Sequence, residues 1–234
     1  MELEKDDYLI LCSRRAGKTF SAAALAAHRA LNYPNTDVLF CAPTESQAKE
    51  CIRICKQLII GAGCGSEIRN FFNLEVQCKN SSRIMGLQTQ RPDNLRGKGA
   101  NVIIFDEGAT ISDEAFETLL PVLSATERPK FVALSTAKGK SGWFYDMWTD
   151  PEEESVKIKL SAYDCPHISK QFLEKAKKRM SPTTFEREYL CEFGASANPF
   201  IPPDILDQTF QSRGTLQTQG DAWRLRQSFQ AMRY

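Results

Sequence analysis

One short loop, Ser13-Arg14-Arg15-Ala16-Gly17-Lys18-Thr19, gathers a lysine, a hydroxyl and two always-charged guanidinia around a glycine. Ahead of it runs the apolar stretch Tyr8 to Cys12, and behind it the Ala-rich stretch Ala22 to Leu31, so the order is strand, loop, helix. In that setting backbone N–H groups and a helix N-terminus cradle a polyphosphate, Lys18 sits on its β and γ phosphates, and Thr19 ligates Mg²⁺. The glycine that opens the usual G-x-x-x-x-G-K-[ST] pattern is replaced here by Cys12. A second group of acids lies far downstream. Val102-Ile103-Ile104-Phe105 reads as a buried strand, and Asp106-Glu107 at its carboxyl end stands where open α/β sheets bind ligands. Asp106 suits the Mg²⁺ shell, and Glu107 suits orienting or deprotonating a water. An acidic pair there can also simply cap the next helix. Ser135-Thr136 ends a further buried strand, Lys130 to Leu134, where hydroxyls can bond a γ-phosphate or its attacking water, or else make an ordinary turn.

The elements that must position these groups follow from periodicity. Asp37 to Ala42 is a strand closed by Pro43, and Thr44 to Ile60 repeats apolar residues at helical spacing. Leu74 to Cys78 and Arg83 to Leu87 flank the polar turn Lys79-Asn80-Ser81-Ser82 as a hairpin. Ala115 to Leu123 is a helical stretch. Strands alternating with helices predict an α/β sheet with right-handed crossovers. From Pro151 the texture changes to an acidic loop, a strand at Val156 to Ser161 and helices at Gln171 to Met180 and Pro182 to Phe193, read as a small appended subdomain. The expected division is a core over 1–150, a lid or linker over 151–200 and a poorly structured tail over 201–234.

Composition limits the classes open to the chain. Thirty basic against 29 acidic residues give a formal charge of +1, so nucleic acid or an anionic surface must be met by a local patch. Lys170, Lys175, Lys177, Lys178 and Arg179 form one such patch, with a solvated helix face as the plainer reading; Lys138 and Lys140 are a second. No apolar run approaches the ~18 residues of a membrane span, and the acidic start lacks the character of a secretory leader, which points to a cytosol. The 8 cysteines include no C-x-x-C pair and read as free, mostly buried thiols. His28 and His167 read as structural, the aromatics Trp143, Phe144, Tyr145 and Trp148 as packing, and Phe185, Tyr189 and Phe193 as the seam of a helix on the core.

Taken together the motifs resemble one family, the ATPase part of the large terminase subunit of tailed bacteriophages. The resemblance rests on Cys12-Ser-Arg-Arg-Ala-Gly-Lys-Thr19, Ala42-Pro43-Thr44 with Gln47-Ala48, Leu95-Arg96-Gly97 ahead of Val102 to Glu107, Leu134-Ser-Thr-Ala-Lys-Gly139 running on to Trp143-Phe144-Tyr145, and Phe185 to Phe193. It implies a P-loop NTPase fold of the ASCE, RecA-like type, with a mainly parallel sheet flanked by helices and a small lid. It implies ATP and Mg²⁺ as ligands, and a nucleotide site of Ser13, Arg14, Arg15, Ala16, Gly17, Lys18, Thr19, Asp106, Ser135 and Thr136. Within that site Glu107, Arg14 and Lys18 are catalytic, and Thr19 and Asp106 hold the metal. Arg14 best matches the family's arginine finger, with Arg15 as the alternative, and Ser135-Thr136 matches the motif that couples hydrolysis to movement.

The family translocates double-stranded DNA into a capsid as a pentameric ring on the portal protein, with DNA delivered by a small terminase subunit, in the host cytoplasm. Members carry an adenine-contacting segment upstream of the loop, and eleven residues precede Cys12 here; members also carry a nuclease domain, which the 34 residues after Phe200 cannot hold, so no nuclease activity is expected. A helicase-like nucleic-acid-remodelling ATPase, and a remnant that binds nucleotide without turnover, are the competing expectations.

Overall fold

The computed structural model describes residues 7–90, 99–126 and 129–194. Leu95-Arg96-Gly97 and the expected tail over 201–234 lie outside the described residues. Eight strands form one sheet: β1 (Tyr8–Cys12), β2 (Asp37–Ala42), β3 (Ile68–Phe72), β4 (Glu75–Cys78), β5 (Arg83–Gln88), β6 (Val102–Asp106), β7 (Lys130–Ser135) and β8 (Val156–Leu160). Their spatial order is β3-β4-β5-β2-β6-β7-β1-β8. From β5 to β8 every pairing is parallel, and β3 and β4 extend one side antiparallel. β7 therefore stands between the strand that feeds the Lys18 loop and the strand that ends in Asp106, as expected for an ASCE-type, RecA-like sheet.

Alternation along the central strands divides the core in two. Val38, Phe40, Ile104, Val132 and Leu134 face one layer, built by α1 (Lys18–Asn32) and α2 (Glu45–Gly61). Leu39, Cys41, Ile103, Phe105, Phe131 and Ala133 face the other, covered by α3 (Asp113–Leu119) and α4 (Trp143–Thr149). Five of the six alanines of α1 (Ala22, Ala23, Ala26, Ala27, Ala30) are buried, giving a slender helix between the sheet and α2. Thr44 starts α2 with a reciprocal cap: its side chain accepts from the Gln47 N–H, and the Gln47 side chain accepts from the Thr44 N–H.

Several elements differ from the sequence reading, each for an identifiable reason. The strand expected to open the small subdomain, β8, pairs in parallel with β1 and is an edge strand of the main sheet. The helix expected over Ala115 to Leu123 ends at Leu119 and tightens into 3₁₀ geometry over Leu120–Ala125, since Pro121 brings no backbone donor. β3, with exposed Arg69 and Asn70 at its centre, carries too little apolar period to be read. Phe193 lies beyond α6 (Pro182–Tyr189), past Cys191 in left-handed geometry at φ 59°. Phe185 and Tyr189 pack instead with Leu173 and Ala176 of α5 (Lys170–Arg179) in a small core of their own, while Phe193 meets Tyr145 edge-on.

Other expectations hold. All 8 cysteines are free, and only Cys64 is not buried. Among the described residues no helix is long and apolar enough to cross a membrane. Trp143 and Phe144 are buried in the aromatic core, with Trp143 stacked on Phe116 at 4.1 Å between ring centroids.

The approach of α2 to the sheet fixes a position for glycine. A Cβ at Gly86 of β5 would lie 2.8 Å from Ile52 Cγ1 and 3.2 Å from the Ala48 carbonyl oxygen. Gly86→Ala is therefore expected to destabilise the fold by about 1–3 kcal/mol, as overpacking does, and chemical denaturation of the two proteins measures it.

Candidate active site

The site forms where β1 and β6 reach the carboxyl edge of the sheet. After Cys12 the chain leaves β1 through Ser13 to Gly17, and Gly17 adopts φ 91°, a left-handed conformation that L side chains rarely take. That turn aims the first residues of α1, Lys18 and Thr19, across β7 toward β6. The first-turn N–H groups of the helix lack partners within it, which is the geometry that accepts an anion.

From the other side, β6 delivers Asp106 and then turns sharply at Glu107, which sits in left-handed geometry at φ 55° and ψ 42°. Such a conformation costs a non-glycine residue roughly 1–2 kcal/mol, and residues of this kind concentrate at functional sites. The turn is held from β7: Ser135 Oγ accepts the Ala109 N–H at 3.0 Å. Trp143 and Phe144 pack beneath it, so that a Cβ on Gly108 would meet both rings at 3.1 Å.

The four residues converge. Thr19 Oγ1 donates to Asp106 Oδ2 at 2.7 Å, and Lys18 Nζ lies 3.7 Å from Glu107 Oε1. Lys18 Nζ also donates to the Ser13 carbonyl at 3.4 Å. Lys18 is 8% exposed and Asp106 4%. A buried ammonium with contacts this long is only partly compensated, and a polyanion between Lys18 and the helix N-terminus supplies the missing charge. Burial raises the Asp106 carboxyl above its ordinary value; the Thr19 hydrogen bond acts in the opposite direction, and the Glu107 charge adds to the rise. Cys51 Sγ of α2, 3.9 Å from Asp106 Oδ2, closes the remaining side. Burial also pushes the Cys12 thiol up to about 12, so this substitute for the first loop glycine is a neutral, buried strand end rather than a nucleophile.

The remaining predicted residues fall into two groups. Ser135 and Thr136 are buried at the end of β7, and the Ser135 oxygen is engaged with the turn that carries Glu107. Arg14 and Arg15 lie on the outer rim and are exposed. Arg15 has φ 64°, and its carbonyl is bonded to His167 Nε2 at 2.8 Å. The Arg14 N–H donates to the Glu188 carbonyl at 2.8 Å, and its guanidinium Nη1 lies 3.5 Å from Glu188 Oε2. Sequence reasoning missed the role of Glu188 and treated His167 as structural; nothing in the spacing distinguishes Glu188 from Glu186 or Glu192 as a loop contact.

A mainly parallel α/β sheet with helices on both faces and a strand-loop-helix lysine facing a strand-end acid defines the class, a RecA-like P-loop fold. Comparisons with known proteins narrow it. The family described as "Terminase large subunit, T4likevirus-type, N-terminal" matches residues 9–207. The large terminase subunit of Escherichia phage T5 is 30% identical over 188 residues, covering 77% of this chain and 42% of that protein. The chain thus spans less than half the length of that relative. The large terminase ATPase domain of Thermus phage P74-26 superimposes with a TM-score of 0.68 at 21% identity, over 80% of this chain and 88% of that one. The large terminase of thermophilic bacteriophage D6E gives 0.69 at 16% identity, over 82% of this chain and 49% of that one. The HK97 large terminase gives 0.68 at 15% identity, over 86% and 50%. The chain belongs to the terminase large-subunit family and corresponds to its N-terminal part.

Asp106 carries a sign that can be measured. A carboxyl whose value is raised in the folded state destabilises the fold above that raised value, and the penalty fades as pH falls through it toward the unfolded value. In EDTA at neutral pH, Asp106→Asn is therefore expected to raise Tm, and the gain to shrink on acidification. A scanning calorimetry series over pH, on both proteins, checks it.

Proposed function

We propose that this chain is the ATP-hydrolysing part of a phage DNA-packaging motor. The observation that carries the reading is the convergence of Lys18, Thr19, Asp106 and Glu107 across β1 and β6, at 2.7 Å and 3.7 Å. Two structures of one relative, the D6E large terminase, are complexes with ADP and with ATP-gamma-S, which supports a nucleotide ligand here.

In this reading the backbone N–H groups from Arg15 to Thr19 and the Lys18 ammonium bind the triphosphate. The Thr19 hydroxyl and Asp106 carboxylate are adjacent hard oxygen donors and fit Mg²⁺, which takes one or two protein oxygens and completes its shell with phosphates and water. Bound there, the ion would neutralise charge on the phosphates. Glu107, fixed by the Ser135-held turn, orients the attacking water and takes its proton. Arg14 faces the γ-phosphate from the rim and stabilises the charge that spreads over its oxygens. The Ser135 hydroxyl, touching the Glu107 turn from β7, transmits the change in that turn after hydrolysis to the loop beyond Thr136.

Double-stranded DNA is the proposed substrate of translocation, and the exposed Lys170, Lys175, Lys177, Lys178 and Arg179 of α5 are its candidate phosphate contacts. A homo-oligomeric ring on the portal protein, served by a small terminase subunit, is the proposed working assembly, in the cytoplasm of the host.

Glu107→Gln is expected to lower hydrolysis by roughly 10²-fold or more, as loss of a general base does, while leaving binding of a fluorescent ATP analogue intact. Lys18→Ala is expected to weaken that binding. Phosphate release equal in wild type and Glu107→Gln overturns the assignment.

A further inference from the structure

The rim of the phosphate loop hangs from the segment that follows the catalytic strands. Ser13 N–H donates to the Leu160 carbonyl of β8 at 2.9 Å, and Arg14 N–H to the Glu188 carbonyl of α6 at 2.8 Å. His167 Nε2, ahead of α5, is bonded to the Arg15 carbonyl at 2.8 Å. Three successive loop residues are thereby fixed by three separate elements. At the centre of this arrangement is a buried acid: the Glu188 side chain is 10% exposed, with Oε2 3.5 Å from Arg14 Nη1 and Oε1 3.6 Å from Arg187 Nε.

The charges do not balance. One carboxylate faces two guanidinia, leaving one positive charge in excess among these three groups, and Arg187 Nε is buried without a hydrogen-bond partner. Arg14 itself is held at one end only. Its side chain is 69% exposed, so without an anchor the guanidinium would sample many rotamers. A contact through Nη1 restricts that sampling and leaves the group's other donors for a second anion.

We propose that Glu188 is a positioning residue for Arg14: its carboxylate holds the guanidinium at the mouth of the loop, ready to contact the γ-phosphate of a nucleoside triphosphate. This rests on the reading of the site as one that binds ATP, with Arg14 as the arginine facing the γ-phosphate. Preorganisation of this kind shows as discrimination between nucleotides that have and lack the γ-phosphate, because ADP offers nothing for Arg14 to meet. A residue that only glued α6 to the loop would affect both nucleotides alike, and the backbone bond from Arg14 to Glu188 survives any substitution of the side chain.

The test is displacement of a fluorescent ADP analogue from the full chain by ATP-gamma-S and by ADP, with Mg²⁺ present. The wild type is expected to prefer ATP-gamma-S by about tenfold, the scale of one charge-assisted contact. Arg14→Ala, Glu188→Ala and Glu188→Gln should each lose most of that preference with ADP affinity unchanged, and Arg14→Ala/Glu188→Ala should be no worse than Arg14→Ala alone. Glu188→Gln keeps the size and the backbone bond, and carries the test if Glu188→Ala does not fold. A wild-type preference retained in the Glu188 variants, full additivity in the double variant, or no wild-type preference at all overturns the proposal. Lys18→Ala separates the two levels. If it abolishes nucleotide binding while the Glu188 variants behave as wild type, this proposal alone fails; if the wild type binds neither nucleotide, the underlying reading fails and takes the proposal with it.

Discussion

Keeping an ammonium and a carboxylate out of water at the edge of one sheet is the constraint on which the rest of this structure depends. Lys18 and Asp106 are almost fully buried, and neither is paired with the other at short range. Removing such groups from water costs several kcal/mol each, and the contacts made by Lys18, at 3.4 and 3.7 Å, are long for a compensated ion. A fold tolerates this only if the surrounding elements cannot relax to admit water. Here the strands beneath are apolar on both faces, with Phe40, Ile104, Val132 and Leu134 under α1 and α2 and Phe105 and Phe131 under α3 and α4. The stability of the two cores is what permits the site to remain poised for a polyanion.

Backbone strain is placed by the same logic. Of the positive-φ residues other than glycine, Arg15 and Glu107 belong to the site, and each is secured from outside its own element. His167 bonds the Arg15 carbonyl, and Ser135 bonds the turn after Glu107. The αL conformation at Glu107 lets a carboxylate leave the strand direction and face Lys18 instead of continuing along β6. Holding it requires a rigid support, and the aromatic floor of Trp143, Phe144, Phe105 and Phe116 provides one, with ring centroids 4.1 to 5.7 Å apart where they are paired.

The central residues of the site were legible because their chemistry depends on local pattern. A strand running into Gly17-Lys18-Thr19 and a fully apolar strand ending in Asp106-Glu107 both announce themselves within about ten residues, and the strands β1, β2, β6 and β7 were readable to within one residue at either end. Much of what escaped is set by partners distant in sequence. β8 looks the same as a strand of a separate subdomain until its pairing with β1 is seen. Phe185 and Tyr189 have helical spacing, but spacing does not say whether α5 or the sheet receives them. Glu188 is invisible for the strongest form of this reason: its partner Arg14 lies 174 residues away by number, 188 − 14, and an acid on a solvent-facing helix position has the same sequence signature as an acid buried against a loop.

The position of β8 changes how movement could pass through the molecule. β1, the strand that carries the phosphate loop, is flanked in the sheet by β7 on one side and β8 on the other. β7 ends in Ser135-Thr136 and reaches the Glu107 turn; β8 ends at Leu160, bonds Ser13, and leads directly into the segment that holds His167, α5 and α6. The loop is thus bonded from the β8 side, while β7 bonds the Glu107 turn, and the two contacts are of different kinds. The β7 contact is a single hydroxyl bonded to the turn that carries Glu107. The β8 side contributes a backbone bond to Ser13, and the segment beyond it adds a backbone bond and a charge pair from α6 to Arg14. The basic surface of α5 and the phosphate loop are thus joined through one short segment, the run from β8 to α6.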